Sequence, residues 1–318
     1  MTNYPPIDLI DQIDPLNDRE GFLTLREPHF GASATACLFG EHPFMSAADY
    51  WLEKVTGVPQ QDETPQMRRG SHLEPAVASW FAQEIGFAVR KAKYMYVRGH
   101  LAATPDYFTA EEENADIVEI KTTAKRIDEP ERYWVWQVQA QMLCTDATKA
   151  YIVWVDASMD IQWTEVDADP DMQAKVWTFS KLFMESVATE TMPDWVETEA
   201  RHIIAMFPDA SDDALEAGDK GMDLVHTYWS HKAAAKYHDE AADKMRDELF
   251  TLAGNHDALT DEGTVICTLR PRKLPARFDT RSFKELHPNL YLEFLSEPMT
   301  TRVLNIPAKL KKVIEGTN

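Results

Sequence analysis

The chain has 318 residues, 44% of them hydrophobic, which is enough for a real core in one large domain or two smaller ones and too much for wholesale disorder. A formal charge of −21, from 53 acidic against 32 basic residues, argues against a protein that coats nucleic acid through bulk charge. It leaves room for one whose basic residues line a single groove. Three widely spaced cysteines, Cys37, Cys144 and Cys267, form neither a disulfide framework nor a CxxC site, and fall short of the four ligands an iron–sulfur cluster needs, so a reducing cytoplasm is expected.

Residues 1–30 are polar and Pro-rich. Asp8, Asp11 and Asp14 without a basic region predict no signal peptide, and no apolar run predicts a membrane span. Ile7, Ile10 and Ile13 are spaced for a helical turn in an arm or cap. Helices are expected over 44–57, ending at Gly57, and over 64–86, where Glu74, Val77, Ala78, Phe81 and Ile85 share one face and Pro75 implies a first-turn position or a kink. Strands follow over 92–99, 101–106 and 116–123, the last two joined by an acidic turn. A helix with few charges, and hence largely buried, is expected over 132–146. Next come a strand apolar on both faces over 150–157, an alternating strand over 161–168, and an amphipathic helix over 170–187. A polar stretch at 207–221 precedes one long helix over 224–254 and a strand over 264–273, with short helix and strand after about 280. The organisation predicted is an α/β domain over 1–195 and an α+β extension over 196–318.

The segment "DIVEIKTT" (116–123) places Glu119 and Lys121 on one strand face with Ile117, and Val118 and Ile120 on the other. Charges inside an apolar strand are costly unless paired, metal-bound or solvated. An isolated E-x-K is usually a salt-bridged edge strand. Here Asp106 stands at the end of a preceding strand, Glu74 on the apolar face of a preceding helix, and Gln137 on a buried following helix. Asp106 and Glu119 are hard oxygen ligands of the kind Mg²⁺ prefers, and Glu74 and the Ile120 carbonyl could complete the shell. A metal there would polarise a phosphoryl oxygen and lower the pKa of a bound water, with Lys121 orienting that water and neutralising charge.

This ordered set resembles the PD-(D/E)xK nuclease superfamily and, within it, the phage YqaJ/lambda-exonuclease (alkaline exonuclease) family. "TPDYF" supplies the PD and "VEIK" the E-x-K. Gly70 and Glu74 match a Gly-x-x-x-Glu helix motif, Gln137 and Gln139 a Gln-x-Gln motif, and Arg26 with Ser33 an N-terminal Arg-to-Ser motif. The resemblance covers roughly residues 22–180. It implies a restriction-endonuclease-like core with a mixed central sheet flanked by helices, metal ligands at Glu74, Asp106 and Glu119, a catalytic Lys121, and a 5′-phosphate site at Arg26 beside Ser33. It further implies Mg²⁺, with Mn²⁺ as a substitute, and a 5′→3′ exonuclease on linear double-stranded DNA ends in phage-type recombination, in a bacterial or phage-infected cytoplasm. A ring-shaped homo-oligomer, commonly a trimer, and a single-strand annealing protein as partner are implied in the same way. The rivals are a structure-specific endonuclease on the same core and a DNA-binding scaffold with a retired site.

Outside these motifs, "LRPRKLPAR" (269–277) gathers Arg270, Arg272, Lys273 and Arg277 without an acid, and is either a solvated face or a DNA-backbone contact. "GNHD" at 254–257 lacks the upstream D-x-H of a phosphoesterase and is better read as a helix C-cap at Gly254. His231 and His238 are read as a surface-to-partner face, and Trp134 and Trp136 as core.

Overall fold

The computed structural model describes residues 4–13, 18–58, 64–109, 115–209, 213–273, 275–296 and 301–316. The acidic turn expected between 109 and 115 lies mostly outside them. The chain divides into two compact units, Met1–Met206 and Phe207–Asn318.

The first unit is built on two sheets. The larger has five strands: β3 (Val89–Lys91), β6 (Tyr107–Thr109), β7 (Ile117–Thr122), β8 (Lys149–Val155) and β9 (Ile161–Asp167), in that spatial order. β7 and β8 run parallel, with Glu119 opposite Ile152, and the other neighbours are antiparallel. β7 is therefore a central strand, and its charges do not belong to a solvated edge. The smaller sheet orders β1 (Asp8–Asp11), β4 (Tyr94–Arg98), β5 (Leu101–Ala103) and β2 (Phe30–Gly31). Ile10 thus lies in a strand opposite Met95, where the isoleucine spacing predicted a helical turn. An edge strand is fixed by the partner it pairs with, and local periodicity does not reveal that partner. The helix of this arm is instead α1 (Arg19–Arg26), capped by the Asp18 carboxylate.

Helices cover both faces of the larger sheet. On one, α3 (Pro65–Ile85) packs Val77, Ala78 and Phe81 against Val118, Ile120 and Val153. Pro75 lies in the interior of α3, where it removes one backbone hydrogen bond, while Pro65 occupies the first turn. On the other face, α4 (Arg132–Thr145) packs Trp134, Val138 and Met142 against Ile117, Ala150 and Ile152. This mixed sheet between helices is the restriction-endonuclease-like core that the motifs implied. The other side of α4 joins a 3₁₀ helix (Ala32–Phe39), α2 (Ala47–Thr56) and α5 (Pro170–Ala188) around Phe30, Trp51, Trp136 and Phe183.

The first unit extends past residue 195 through α6 (Ala200–Met206). Asp49 of α2 accepts hydrogen bonds from Arg201 Nη1 at 2.5 Å and Nη2 at 3.1 Å, and lies 3.1 Å from His202 Nε2. Asp49 also accepts from the Ser46 backbone N–H and hydroxyl, closing a capping box. Burial pushes its carboxyl up, but the hydrogen bonds from Arg201, Ser46 and His202 prevail and hold it well below the usual carboxylate range.

The second unit comprises α7 (Gly218–Ala253), a hairpin of β10 (Ala258–Asp261) and β11 (Thr264–Thr268), and the short helices α8 (Thr280–Leu286), α9 (Pro288–Glu293) and α10 (Ala308–Ile314). Gly254 is the C-cap of α7, its N–H donating to the Phe250 carbonyl at 3.0 Å. β11 ends at Thr268, so the basic run beginning at Arg270 is not strand, contrary to the expectation for 264–273.

Candidate active site

Three structural steps bring the acidic constellation together. β5 ends at Ala103, and the chain crosses from the smaller to the larger sheet through Thr104 and Pro105. Asp106 therefore stands immediately before β6, not at the end of the strand before it. A proline without an N–H cannot continue the ladder, and this sets the crossing. The Asp106 carboxylate then accepts the Ile120 backbone N–H at 2.8 Å, which ties it to β7 beside Glu119.

Glu119 is 2% exposed and faces α4. Its Oε1 accepts from Lys121 Nζ at 2.7 Å and from Gln137 Nε2 at 2.6 Å. Its Oε2 accepts from Gln141 Nε2 at 2.7 Å. Gln137 Oε1 in turn accepts from Lys121 Nζ at 2.9 Å, closing a three-membered ring of hydrogen bonds. Burial pushes Lys121 down, but Glu119 and Asp106 prevail and raise it, so it is held as a cation. Burial, then Glu119, then Glu74 push the Asp106 carboxyl well above the usual range. Glu74 is paired with Lys91, a partner the sequence reading did not supply.

Gln141 was likewise not anticipated. Gln139, the expected second member of the Gln-x-Gln pair, turns away: its amide donates to the Asp167 carbonyl and accepts the Asp169 N–H, both at 2.8 Å. Helical phase explains this. Positions i and i+2 lie on different faces, whereas Gln137 and Gln141, at i and i+4, share one. That spacing was legible in "WQVQAQ".

The donor set suits a hard divalent cation: three carboxylates converge electrostatically, and one of them is disfavoured as an anion by the other two. Among the described residues, no three His, Cys, Asp or Glu side chains stand as a ready cation cage. The reason is visible in the pairing, because Lys121, Gln137 and Gln141 take the Glu119 oxygens and Lys91 takes Glu74. The residues fit a metal that would replace some of these donors. Ile120 is seen to contribute its N–H, to Asp106.

Arg26 and Ser33 are brought to the same place. Arg26 ends α1 and donates from Nη2 to Ser33 Oγ at 3.1 Å. Among the described residues it forms no ion pair with Glu20 or Glu27, the partners of an ordinary surface arginine. A cavity of about 20 Å³ is lined by Arg26, Ser33 and Thr104 together with Gln137 and Gln141, so the arginine site adjoins the glutamines that hold Glu119. Arg270, Arg272 and Lys273 belong to the second unit, where they are exposed and form no ion pair with a described residue. Cys37, Cys144 and Cys267 are all free.

Comparison with known proteins follows the same lines. Residues 21–148 match the YqaJ-like viral recombinase domain. The chain is similar to an alkaline exonuclease from Laribacter hongkongensis, at 21% identity and a TM-score of 0.44 over 54% of this chain and 93% of that one. It is also similar to a phage related exonuclease from Haemophilus somnus 129PT, at 12% identity and a TM-score of 0.43 over 54% of this chain and 100% of that one. A putative exonuclease from Eubacterium rectale is 10% identical, with a TM-score of 0.35 over 65% of this chain and 91% of that one. No curated protein matches the chain. Arg26, Ser33, Glu74, Asp106, Glu119, Lys121, Gln137 and Gln141 all fall within the span, residues 21–148, that is similar to the YqaJ-like viral recombinase domain.

Proposed function

We propose that this chain is a metal-dependent deoxyribonuclease, a 5′→3′ exonuclease that digests linear double-stranded DNA from 5′-phosphorylated ends in phage-type recombination. The observation that carries the reading is the closed Lys121–Glu119–Gln137 ring, between the central strand β7 and α4, beside the half-buried Asp106. Four polar groups packed between a central strand and the helix that covers it contribute less to stability than apolar ones would, and chemistry accounts for their presence.

Mg²⁺, or Mn²⁺ in its place, held by Asp106, Glu119, Glu74 and the Ile120 carbonyl, would supply Lewis-acid polarisation of the phosphoryl oxygen and activation of water. Lys121, kept protonated by its two acidic neighbours, orients the nucleophile and offsets charge developing on the phosphate. Gln137 fixes the Lys121 ammonium against Glu119, and Gln141 holds the second Glu119 oxygen. Arg26 and Ser33 receive the 5′-terminal phosphate. Its nearly double negative charge distinguishes an end from an internal phosphodiester, and a guanidinium matches it with paired, charge-assisted hydrogen bonds. By family likeness the enzyme works as a homo-oligomer, commonly a trimer, alongside a single-strand annealing protein.

The test uses end-labelled linear duplex, with and without Mg²⁺, against a covalently closed circle. Release of 5′ nucleotides from the linear substrate alone is expected, and only with metal. Digestion of closed circles would make the enzyme an endonuclease. Wild-type protein should favour 5′-phosphorylated over 5′-hydroxyl duplex, and Arg26→Ala should erase most of that preference, since truncating one partner of a desolvated charge pair costs about 2–5 kcal/mol. A variant that keeps the full preference would move the end-reading site elsewhere.

A further inference from the structure

Arg26 is the last residue of α1, where the backbone carbonyls of the final turn have no partner within the helix. A guanidinium at that position has an easy alternative to any ligand: it can fold back and cap its own helix. In this structure another cation has taken that role. Lys54 Nζ, reaching across from α2, donates to the Arg26 carbonyl at 2.9 Å, the Glu27 carbonyl at 3.1 Å and the His29 carbonyl at 2.6 Å. All three donors of the ammonium are used, and all three acceptors lie in the segment that carries Arg26. Burial, then Arg26, push Lys54 down to about 8, so the two cations are close enough to repel. That repulsion and the occupied carbonyls together leave the guanidinium directed at Ser33.

The slot that receives it is made by a missing side chain. A Cβ on Gly31 would stand 2.6 Å from Arg26 Nη2, and its next nearest neighbour would be the Tyr50 hydroxyl at 3.4 Å. Gly31 has φ −80° and ψ 134°, open to any residue, so its absent side chain answers to the guanidinium and not to the backbone. The Gly31 N–H donates to Tyr50 Oη at 3.0 Å, and the Tyr50 ring stacks on Phe183 with centroids 5.5 Å apart. One helix, α2, therefore grips both ends of the Arg26–Ser33 segment: Lys54 at its start and Tyr50, one turn earlier in α2, near its end.

We propose that Lys54 and Gly31 are positioning residues for the Arg26 guanidinium, and that through it they set the discrimination between 5′-phosphorylated and 5′-hydroxyl ends. This rests on the end-reading role assigned to Arg26 above. Neither residue touches the reacting atoms. Lys54 occupies the Arg26, Glu27 and His29 carbonyls where α1 ends, and Gly31 leaves the volume the guanidinium fills.

The experiment compares wild type, Gly31→Ala and Lys54→Met in the full chain. Initial rates are measured on 5′-phosphorylated and 5′-hydroxyl duplex at saturating Mg²⁺, and anisotropy in EDTA measures binding of the two duplexes. Both variants are expected to lose most of the phosphate preference, in rate and in binding. Displacement by about 1 Å costs as much as 10²-fold. The rate on 5′-hydroxyl ends should remain near wild type. Lys54→Arg, which keeps donors for the carbonyls, should recover part of the preference. Gly31→Ala requires only a flexible side-chain end to move, so it reports on Arg26 even where Lys54→Met folds poorly. Retention of the full preference by Gly31→Ala, or equal losses on both substrates, overturns the inference and returns these residues to a purely structural role. Absence of any preference in the wild type instead overturns the end-reading role of Arg26, and this inference with it.

Discussion

The two units of this chain treat similar side chains in opposite ways. In the first, helices packed against two sheets bury Phe30, Trp51, Phe81, Ile117 and Ile152 almost completely. In the second, only Ala253 and Ile306 are buried among the described residues, while Leu252, Ile266, Phe278 and Phe294 are each more than 60% exposed. Charges follow the same division. Glu119 and Lys121 sit in a low-dielectric interior where every oxygen and proton needs a partner, whereas Arg270, Arg272 and Lys273 are exposed and form no ion pair with a described residue. A buried charge that persists must be compensated, so its neighbours reveal its role. An exposed charge makes no such demand, and its role is readable only from what binds it.

The largest expected effect breaks the interior half of this contrast. Asp106→Asn and Glu119→Gln should each lower cleavage by about 10²-fold or more, because the charge that would hold a cation and stabilise the transition state is removed. DNA binding should be largely unchanged, measured by anisotropy in EDTA. Lys121→Ala should lose comparable activity that raised Mg²⁺ does not restore, since the ammonium acts beside the cation and not as its ligand. Near-wild-type cleavage by Asp106→Asn or Glu119→Gln at millimolar Mg²⁺ would remove these residues from the chemistry. Rescue of Lys121→Ala by metal would reduce the lysine to tuning cation affinity.

A smaller effect is expected where the first unit is closed by its last helix. Asp49→Asn leaves the donors of Arg201, His202 and Ser46 with a weaker acceptor, which should cost about 1–3 kcal/mol. The low end is favoured because the Arg201 side chain is 55% exposed and its share is screened. The pH dependence has a definite sign. The folded-state carboxyl lies below its ordinary value of 3.8, so the stabilisation is complete above about pH 4 and is lost as the pH falls further. Urea titrations at pH 7 and pH 3 should therefore show wild type and Asp49→Asn well separated at the first and closer together at the second. An unchanged separation at pH 3 would mean that the charge on Asp49 contributes nothing.

How much of this was legible in the sequence follows from the same contrast. β7, β8 and α4 were readable because a strand or helix buried on all sides must be apolar, and the exceptions in "DIVEIKTT" pointed to the site. β1 was misread because Ile7, Ile10 and Ile13 fit a helical period, while the partner strand that decides the matter, β4, lies more than 80 residues away. Asp106 was found, but its place at the start of β6 was not, since no local pattern marks where a chain leaves one sheet for another. Lys91 and Lys54 could not be recognised at all. A lysine paired with Glu74, or with three carbonyls, has no signature until the fold brings the two together. Gln141 was within reach, since helical phase alone favours it over Gln139 as the companion of Gln137.

The smallest expected effect tests the exposed half. Every proposed ligand lies in the first unit, so the second unit should modulate DNA binding without entering the chemistry. Its clearest charged feature is the run at Arg270, Arg272 and Lys273, notable in a chain of net charge −21. Between exposed groups and phosphates the gain comes mainly from counterions released by the DNA, so it appears in the salt dependence more than in any single affinity. For B-DNA each phosphate contact contributes about 0.9 to the slope of log K against log salt. Neutralising all three residues to glutamine should weaken binding and flatten that slope by up to about 2.7, three such contacts. The cleavage rate of bound DNA at saturation should stay the same, because no proposed ligand has moved. A drop in that saturated rate would place the run at the reacting phosphate and end the separation between the two units. An unchanged salt slope would make the run an ordinary solvated face.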